Sequence, residues 1–537
     1  MSDSAAKAWA RALELTASIA RHPERLLPTV IEERAADLGD APALLSDREC
    51  LSYRTLVERS NRYARWALNQ GLGKGEVVCL MMPNRPEYMA IWLGIVKVGG
   101  VVALLNTNLT GPSLAHCIRI VAPKHIIVAA ELAGAIATAL PDLATPPTVW
   151  VHGAGDIERL PGDTLCDSER QPVTIHDRAL LIYTSGTTGL PKAANVSHAR
   201  LMQWSGWFAG MMDAKPADRL YDCLPMYHST GGVLAPGAML AAGGSVAIGA
   251  EFSASRFWSE VIRWDCTLFQ YIGELCRYLL HAAPSPDETA HKVRIACGNG
   301  LRPDVWEGFQ SRFRIPRIVE FYAATEGGLS LFNIEGKCGS IGRVPPYLAH
   351  RFAPALIRFD VEKDEPVRNG NGFCVRCAPN EAGEAISQAL DEGYTDPEAS
   401  ERRILRGVFE AGDAWARSGD LMRKDEQGFF YFVDRLGDTF RWKGENVSTV
   451  EVAEAICGFP GVRQANVYGV AIPGTEGRAG MAALVTEPEI DLAALRAHLA
   501  SRLPHYARPL QRLCHSNRHR NLWKAWQGLP NFLATCA

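Results

Sequence analysis

Short apolar segments that alternate with longer amphipathic ones are the feature that most constrains how this 537-residue chain folds. Each short segment is rich in β-branched residues, as strands buried on both faces of a sheet are. The stretches between them are long enough for crossover helices, so the pattern predicts an α/β fold with parallel sheets. The segments are Glu76–Met82, Val101–Leu105, His125–Ala129, Thr148–His152, Leu180–Tyr183 and Ser245–Ile248.

The length of the chain exceeds what one hydrophobic core covers, so more than one domain is expected. Ala355–Glu384 is turn-rich and β-like, which suits a small β subdomain. The polar connector Asp434–Asn446 precedes a helix signal, with Ser448 at the N-cap and Glu451 three residues later. We predict a large domain over residues 1–437 and a small α+β domain over 438–537; the alternative is a loop inside one domain.

Composition narrows the class of protein. A net charge of −3 gives no general attraction to nucleic acid or to an acidic membrane. The 14 scattered cysteines and the lack of a secretory leader indicate reduced thiols in the cytoplasm. The most apolar span, Tyr88–Leu105, is interrupted by Lys97 and two glycines, whereas a transmembrane helix needs about 20 apolar residues. We expect a cytoplasmic protein, at most peripheral to the membrane, and the sequence leaves its oligomeric state open.

The run Leu180–Lys192 combines an apolar strand with a loop of hydroxyls and glycines that ends in a lysine. Glycines let successive N–H groups converge on one anion, and hydroxyls donate to phosphate oxygens. The common NTPase spacing is absent, and the alternative is a solvated turn. The loop predicts a polyphosphate site built from Thr184, Ser185, Gly186, Thr187, Thr188, Gly189 and Lys192.

This run resembles the nucleotide loop of the acyl-adenylate-forming enzymes, which include acyl-CoA synthetases and firefly luciferase. The resemblance implies that ATP and a carboxylic acid are substrates and that Thr184 and Lys192 act in catalysis. A second segment, Glu320–Gly327, is similar to the aromatic-Gly-x-Thr-Glu segment of the family, with Ala323 where glycine is usual. We expect a strand at Ile315–Val319 to lead into it. The resemblance implies that Glu326 binds Mg²⁺, Thr325 contacts phosphate and Tyr322 stacks on adenine.

Two further segments resemble the family around the nucleotide and the acid. His228, in Leu224–Gly232, matches a histidine near the substrate carboxylate and the mouth of the acyl pocket. The alternative for His228 alone is a packed core histidine. In Ala296–Arg302, the resemblance implies that Gly298, Asn299 and Gly300 lie under the adenine.

The last part of the resemblance concerns ribose, the hinge and coenzyme A. Asp420 has two acceptor oxygens that can chelate a ribose cis-diol, and it matches the Ser/Thr-Gly-Asp motif. Arg435 resembles an arginine that contacts the nucleotide. Asp438 matches the hinge about which a mobile small domain turns. Lys443, Gly444 and Glu445 would lie on the face that admits CoA.

Gln270–Leu280, Gly298–Arg302 and Gly437–Asn446 are similar to the fatty-acid transport protein branch, which comprises long- and very-long-chain acyl-CoA synthetases. The resemblance implies formation of acyl-AMP from a fatty acid and ATP, followed by transfer to CoA. One rival is a ligase for a bulkier carboxylate such as a sterol side-chain acid.

The C-terminal tail departs from the pattern. The resemblance holds through Pro509, but residues from about 511 lack the Thr-Gly-Thr-Phe-Lys-like motif with the adenylation lysine, and Lys524 is the one lysine there. A second rival is therefore an acyl- or nucleotide-binding protein with impaired adenylation.

Overall fold

The computed structural model describes residues 4–153, 155, 157–184, 191–361, 363–388, 393–442, 445–471, 478–487, 490–509 and 511–516. Its contacts group the chain into two compact units. The first unit comprises Met1–Ala355, Ile386–Ser418 and Asp425–Tyr431. The second comprises Leu356–Ala385, Gly419–Lys424 and Phe432–Ala537.

The helices of the described residues are α1 Ala5–Thr16, α2 Leu27–Leu38, α3 Tyr53–Asn69, α4 Pro86–Lys97, α5 Gly111–Val121, α6 Ala133–Ala139, α7 His198–Met212, α8 Ala235–Ala242, α9 Phe257–Arg263, α10 Gly273–His281, α11 Pro303–Arg312, α12 Pro397–Glu401, α13 Thr449–Cys457 and α14 Leu492–Arg502. The strands are β1 Pro42–Leu45, β2 Cys50–Ser52, β3 Val77–Met81, β4 Val101–Leu104, β5 His125–Ala129, β6 Thr148–His152, β7 Arg178–Thr184, β8 Lys192–Ser197, β9 Arg219–Asp222, β10 Ser245–Ile248, β11 Leu268–Ile272, β12 Ile295–Asn299, β13 Ile318–Ala323, β14 Ser330–Asn333, β15 Ala355–Ile357, β16 Phe359–Asp360, β17 Glu365–Pro366, β18 Gly383–Gln388, β19 Ile404–Arg406, β20 Ala414–Lys424, β21 Phe430–Arg435, β22 Phe440–Trp442, β23 Glu445–Val447, β24 Val462–Ala471, β25 Arg478–Thr486 and β26 Gln511–Ser516.

Two sheets form the framework of the first unit. The six-stranded sheet has the order β6-β5-β3-β4-β7-β8, and only the pairing of β7 with β8 is antiparallel. The eight-stranded sheet has the order β14-β13-β12-β11-β9-β10-β1-β2, with β14 and β2 antiparallel to parallel inner strands. The strands expected from the alternating pattern are all present, so the predicted α/β fold is confirmed.

Buried helices fill the space around these sheets. Every residue of α4 before Lys97 is buried, and β4 follows it, as the apolar span predicted. At the N-terminus, Trp9 of α1 packs edge-to-face on Trp207 of α7 with ring centroids 5.6 Å apart. A Cβ at Gly210 would lie 2.5 Å from the Ala12 Cα, so glycine permits the close approach of these two helices. Within the described part of the chain, no helix is long and apolar enough to span a bilayer.

The second unit has its own small core. Strands β24 and β25 pair antiparallel, β26 joins β25 in parallel, and β22 pairs with β23. Phe440, Trp442 and Val467 are among its buried side chains. The Ser448 side chain accepts a hydrogen bond of 3.2 Å from the Glu451 N–H at the start of α13, which confirms the predicted N-cap.

Candidate active site

The strand pairing of β7 with β8 brings the two ends of the predicted phosphate loop together. Thr184 lies directly opposite Lys192 in the antiparallel register. The Thr184 hydroxyl oxygen is buried near the Tyr394 hydroxyl, but it forms no well-aligned hydrogen bond with a described residue. A buried hydroxyl whose hydrogen bonding is incomplete is suited to bind a ligand oxygen. Ser185, Gly186, Thr187, Thr188 and Gly189 lie outside the described residues, and their phosphate-binding role stays a prediction.

The strand that leads into the second predicted segment begins and ends later than expected. The strand is Ile318–Ala323 and not Ile315–Val319, so that boundary is wrong. The physical reason is β14: Phe321 pairs with Phe332 and Tyr322 with Leu331, and this hairpin extends the strand to Ala323. Thr325 and Glu326 follow in the turn between the two strands.

The Glu326 carboxylate is the centre of a polar cluster. The Tyr394 hydroxyl donates to Glu326 Oε1 at 2.9 Å, and Arg403 Nη1 forms an ion pair with the same oxygen at 2.9 Å. Tyr394 is held by backbone pairing of its neighbours with β8, from Thr395 N to Ala193 O at 2.9 Å. Burial, reinforced by the Glu326 charge, raises the pKa of Tyr394 to about 12, so its hydroxyl remains a donor at neutral pH.

The ring of Tyr394 also lies near two cations. Lys192 Nζ is 5.6 Å and the Arg403 guanidinium 5.9 Å from the ring centroid, within reach of a cation–π attraction. A cavity of about 270 Å³ lies beside them and is lined by Glu326, Gly327, Gly328, Tyr394, Ser400 and Arg403, among others. One carboxylate, one phenol and one guanidinium therefore meet at this pocket, and Lys192 lies near the same phenol ring.

Thr325 links this cluster to the loop that carries His228. The hydroxyls of Thr325 and Ser229 lie 3.1 Å apart, and His228 precedes Ser229. His228 is exposed, which argues against a packed core histidine. Its imidazole is nevertheless surrounded by protein on most sides, including the Tyr227 ring at 4.6 Å, and this desolvation lowers its pKa. An accessible histidine with a lowered pKa is mostly neutral at pH 7.

Gly298, Asn299 and Gly300 lie at the carboxyl end of β12, beside β13. Ligands of open α/β sheets bind at this edge of the strands. The Asn299 side-chain oxygen is buried and, in the part of the chain that the structure describes, has no hydrogen-bond partner. Tyr322 ends the adjacent strand, so the sheet brings the predicted adenine-binding residues to one edge.

The buried carboxyl group of Glu320 holds this edge of the sheet in place through hydrogen bonds. Glu320 Oε1 accepts a hydrogen bond of 3.1 Å from the Leu301 N–H, and the Tyr271 hydroxyl donates to Glu320 Oε2. Burial raises the pKa of Glu320 to about 8, and burial with the nearby carboxyl raises the pKa of Tyr271 as well. The pair ties the chain after Gly300 to the middle of β13.

In the second unit, Asp420 and Arg435 lie close together. Asp420 is buried, and Arg435 Nε is 3.8 Å from its Oδ1 while the Arg435 side chain is 60% exposed. A backbone hydrogen bond of 2.9 Å from Leu436 N to Gly419 O brings the two segments together. Lys443 and Gly444 lie outside the described residues. For Glu445 the backbone of β23 is described and the side chain is not.

Comparisons with known proteins identify the family. The sequence profile of the AMP-binding enzyme family matches residues 31–371, and that of the AMP-binding enzyme C-terminal domain matches residues 451–513. Long-chain fatty acid transport protein 1 of Mus musculus is 40% identical over 481 residues, which cover 86% of this chain and 74% of that protein. The very long-chain fatty acid transport protein of Cochliobolus heterostrophus is 37% identical over 500 residues, which cover 90% and 78%. The chain belongs to the AMP-binding enzyme family.

Solved structures agree on the fold of this AMP-binding enzyme family member. An anthranilate CoA ligase, AuaEII, in complex with anthranoyl-AMP superposes with a TM-score of 0.77 at 20% identity, covering 91% of this chain and 93% of that one. ATP-bound MatB from Rhodopseudomonas palustris gives 0.76 at 23% identity, covering 92% and 96%. The Mycobacterium tuberculosis fatty acyl CoA synthetase gives 0.65 at 24% identity, covering 93% and 95%.

The residues around Glu326 also suit a magnesium ion. Mg²⁺ usually binds one or two carboxylates together with substrate phosphates, and no larger protein cage is needed. Among the described residues, no group of three or more His, Cys, Asp or Glu side chains could hold a metal alone. The single carboxylate of Glu326, 15% exposed at the edge of a pocket, fits that mode of binding.

Sequence reasoning missed Tyr394 and Arg403. They lie 68 and more residues after Glu326, in a stretch without a phosphate-loop or metal-ligand pattern. The glycine-tyrosine pair Gly393-Tyr394 could have drawn attention to this stretch. The pairing of Tyr394 with β8, however, is a tertiary contact that no local pattern predicts.

Proposed function

We propose that this AMP-binding enzyme family member is an ATP-dependent CoA ligase for long-chain fatty acids. The fatty-acid carboxylate attacks the α-phosphate of ATP to give acyl-AMP and pyrophosphate. The CoA thiol then displaces AMP to give acyl-CoA. The observation that carries the proposal is that Tyr394 contacts both Glu326 and Lys192, which pairs with Thr184, in a chain 40% identical to long-chain fatty acid transport proteins.

The phosphates have the clearest set of candidate partners. Thr184 and Lys192 donate a hydroxyl and a positive charge from adjoining strand ends, together with the loop residues 185–189. Glu326 holds Mg²⁺, which when bound neutralises phosphate charge, and Thr325 donates to a phosphate oxygen. Preorganised donors of this kind stabilise the charge that develops as pyrophosphate departs.

The remaining residues bind the adenine and ribose of ATP, the acyl carboxylate and CoA. Tyr322 stacks on adenine over Gly298, Asn299 and Gly300, and Asp420 holds the ribose hydroxyls with Arg435 nearby. His228 borders the acyl carboxylate and is mostly neutral at pH 7 because desolvation lowers its pKa. Lys443, Gly444 and Glu445 face CoA in the second step.

The domain boundary and the compartment are also proposals. We place a large domain at residues 1–437 and a mobile small domain at 438–537, with Asp438 as the hinge. The twelve cysteines whose side chains the structure describes are all free, which supports a reducing compartment such as the cytoplasm. We propose at most peripheral contact with membranes.

Pyrophosphate release tests the function. The purified chain is mixed with ATP, Mg²⁺, CoA and palmitate, and pyrophosphate and acyl-CoA are measured together. We expect both products with palmitate and little with a sterol side-chain acid. The reverse preference would favour the bulkier carboxylate. Turnover with neither acid, together with no thioester formation from palmitoyl-AMP, would contradict the proposal.

Because residues from about 511 lack the motif with the adenylation lysine, the two half-reactions are measured separately. Adenylation from ATP and palmitate is compared with thioester formation from synthetic palmitoyl-AMP and CoA. A lost first step with an intact second step would mean that the chain lacks the contact of the adenylation lysine. Loss of one preorganised charged donor typically slows a step by about 10²–10³-fold.

A further inference from the structure

We propose that Arg403 is a phosphate-binding residue: it binds the terminal phosphates of ATP and then the pyrophosphate product. The proposal rests on the proposed function, because it concerns the same nucleotide site. Arg403 is not part of the phosphate loop, and it is distinct from Glu326, the proposed Mg²⁺ ligand. Its place in the first unit, beside Tyr394 and Glu326, is the basis of the inference.

The position of Arg403 is fixed by its backbone and by one edge of its guanidinium. Arg417 N donates to Arg403 O at 2.8 Å, next to the antiparallel pairing of β19 with β20. Arg403 Nη2 donates to Arg417 O at 2.9 Å, while Nη1 is directed to Glu326 Oε1 at 2.9 Å. A guanidinium anchored on one edge loses little further entropy when the other edge binds a ligand.

The charges around the pocket change in a defined way when a nucleotide binds. With no ligand, Glu326 neutralises Arg403, and the Arg403 side chain is 21% exposed. A polyphosphate that brings a divalent cation supplies a stronger partner for the carboxylate. Arg403 then has an unpaired, partly buried charge, which a phosphate oxygen satisfies by charge-assisted hydrogen bonds. The ion pair with Glu326 is therefore the resting arrangement of a residue that serves phosphate.

Three observations favour phosphate over a purely structural ion pair. The pair borders a pocket of about 270 Å³ and is not sealed in a core. Lys192, at the end of the phosphate loop, lies on the same Tyr394 ring as Arg403. Gly327 and Gly328, with φ of +96° and +100°, shape the pocket wall next to Glu326, and side chains there would be strained.

The chain offers a matched control next door. Arg402 is a neighbouring arginine whose side chain is 60% exposed. Its nearest carboxylates are Asp396 at 3.9 Å and Glu398 at 3.6 Å, at the surface of α12. Replacing Arg402 removes the same charge from the same segment without touching the pocket.

Equilibrium binding of pyrophosphate, ATP with Mg²⁺, and AMP is measured by calorimetry for the wild type, Arg403→Ala, Arg403→Lys and Arg402→Ala. We expect Arg403→Ala to weaken binding of pyrophosphate and of ATP by about 10- to 100-fold, and AMP by less than about twofold, because AMP has no terminal phosphates. Arg403→Lys should recover part of the loss, and Arg402→Ala should bind like the wild type.

Two results would overturn the assignment. One is wild-type binding of pyrophosphate and ATP by a folded Arg403→Ala variant. The other is an equal loss of AMP binding, which would mean that Arg403 only supports the structure. If the wild type itself bound neither ATP nor AMP, the proposed function would fail as well. If the wild type bound both and the variants were unchanged, this inference alone would fail.

Discussion

The hydroxyl of Tyr394 donates a hydrogen bond of 2.9 Å to the carboxylate of Glu326, 68 residues earlier in the chain. The bond joins the turn after β13 to the segment that pairs with β8, and so joins the expected metal ligand to the end of the phosphate loop. Because the pKa of Tyr394 is raised, the hydroxyl keeps its proton and remains a donor at neutral pH. It fixes one carboxylate oxygen and leaves the other for a ligand.

Replacing Tyr394 separates the roles of its hydroxyl and its ring. Tyr394→Phe removes the donor to Glu326 but keeps the ring near Lys192 and Arg403. We expect kcat/KM for ATP to fall by about tenfold, the value of one hydrogen bond to a charged group. Tyr394→Ala should lose more, since each cation–π contact adds about 0.5–1 kcal/mol. Equal losses in both variants would mean that the ring contributes nothing.

Glu326→Gln should impair adenylation far more than nucleotide binding. The amide keeps an acceptor for Tyr394 but loses the charge for Mg²⁺, so we expect pyrophosphate release to slow by about 10²–10³-fold. Nucleotide affinity, measured by calorimetry, should change by less than about tenfold. Glu401→Gln is the control, because Glu401 lines the same pocket and pairs with Arg406 at the surface. Near-normal turnover in Glu326→Gln would remove this residue from the reaction.

Asp420→Ala should raise the KM for ATP with little change in kcat. The lost hydrogen bonds to ribose hydroxyls are charge-assisted and worth roughly 1.5–3 kcal/mol, which is about 10- to 100-fold in affinity. Titration of ATP at saturating palmitate and CoA measures the effect. Exposed Glu426 provides the matched acidic control as Glu426→Ala. An unchanged KM would assign Asp420 to a structural turn.

Glu320 predicts a pH dependence of stability. Its pKa is about 8 in the folded chain and near 4.5 when unfolded, so between these values the folded state holds a proton that the unfolded state has lost. Stability from this group is therefore complete below about pH 4.5 and is lost as the pH rises through about 8.

Denaturant unfolding of wild type and Glu320→Gln at pH 6 and pH 9 checks this sign. Glutamine mimics the protonated carboxyl and can still accept from Leu301. The wild type should lose at least about 1 kcal/mol more than the variant between the two pH values. A parallel decline in both proteins would show that Glu320 does not titrate in this range.

Much of the fold follows from the sequence because its signals are local. Period and β-branched content located β3 to β7, and the N-cap pattern located α13. The strand β13 was placed too early because its end depends on pairing with β14, which no local pattern encodes.

The candidate site divides in the same way. Thr184, Lys192 and Glu326 stand in recognisable segments, whereas Tyr394 and Arg403 reach the pocket through long-range contacts. Residues that contact a motif from far along the chain have no fixed spacing from it. They can therefore be identified only from the three-dimensional structure.

The central claim is that a fatty acid is activated through an acyl-adenylate. The most direct test uses palmitate with both carboxylate oxygens labelled with oxygen-18, together with ATP, Mg²⁺, CoA and the purified chain. Attack of the carboxylate on the α-phosphate leaves one labelled oxygen on AMP when CoA displaces it. We predict AMP that carries one oxygen-18 atom, in an amount equal to the palmitoyl-CoA formed. Unlabelled AMP, or label in inorganic phosphate with ADP as the nucleotide product, would contradict the account.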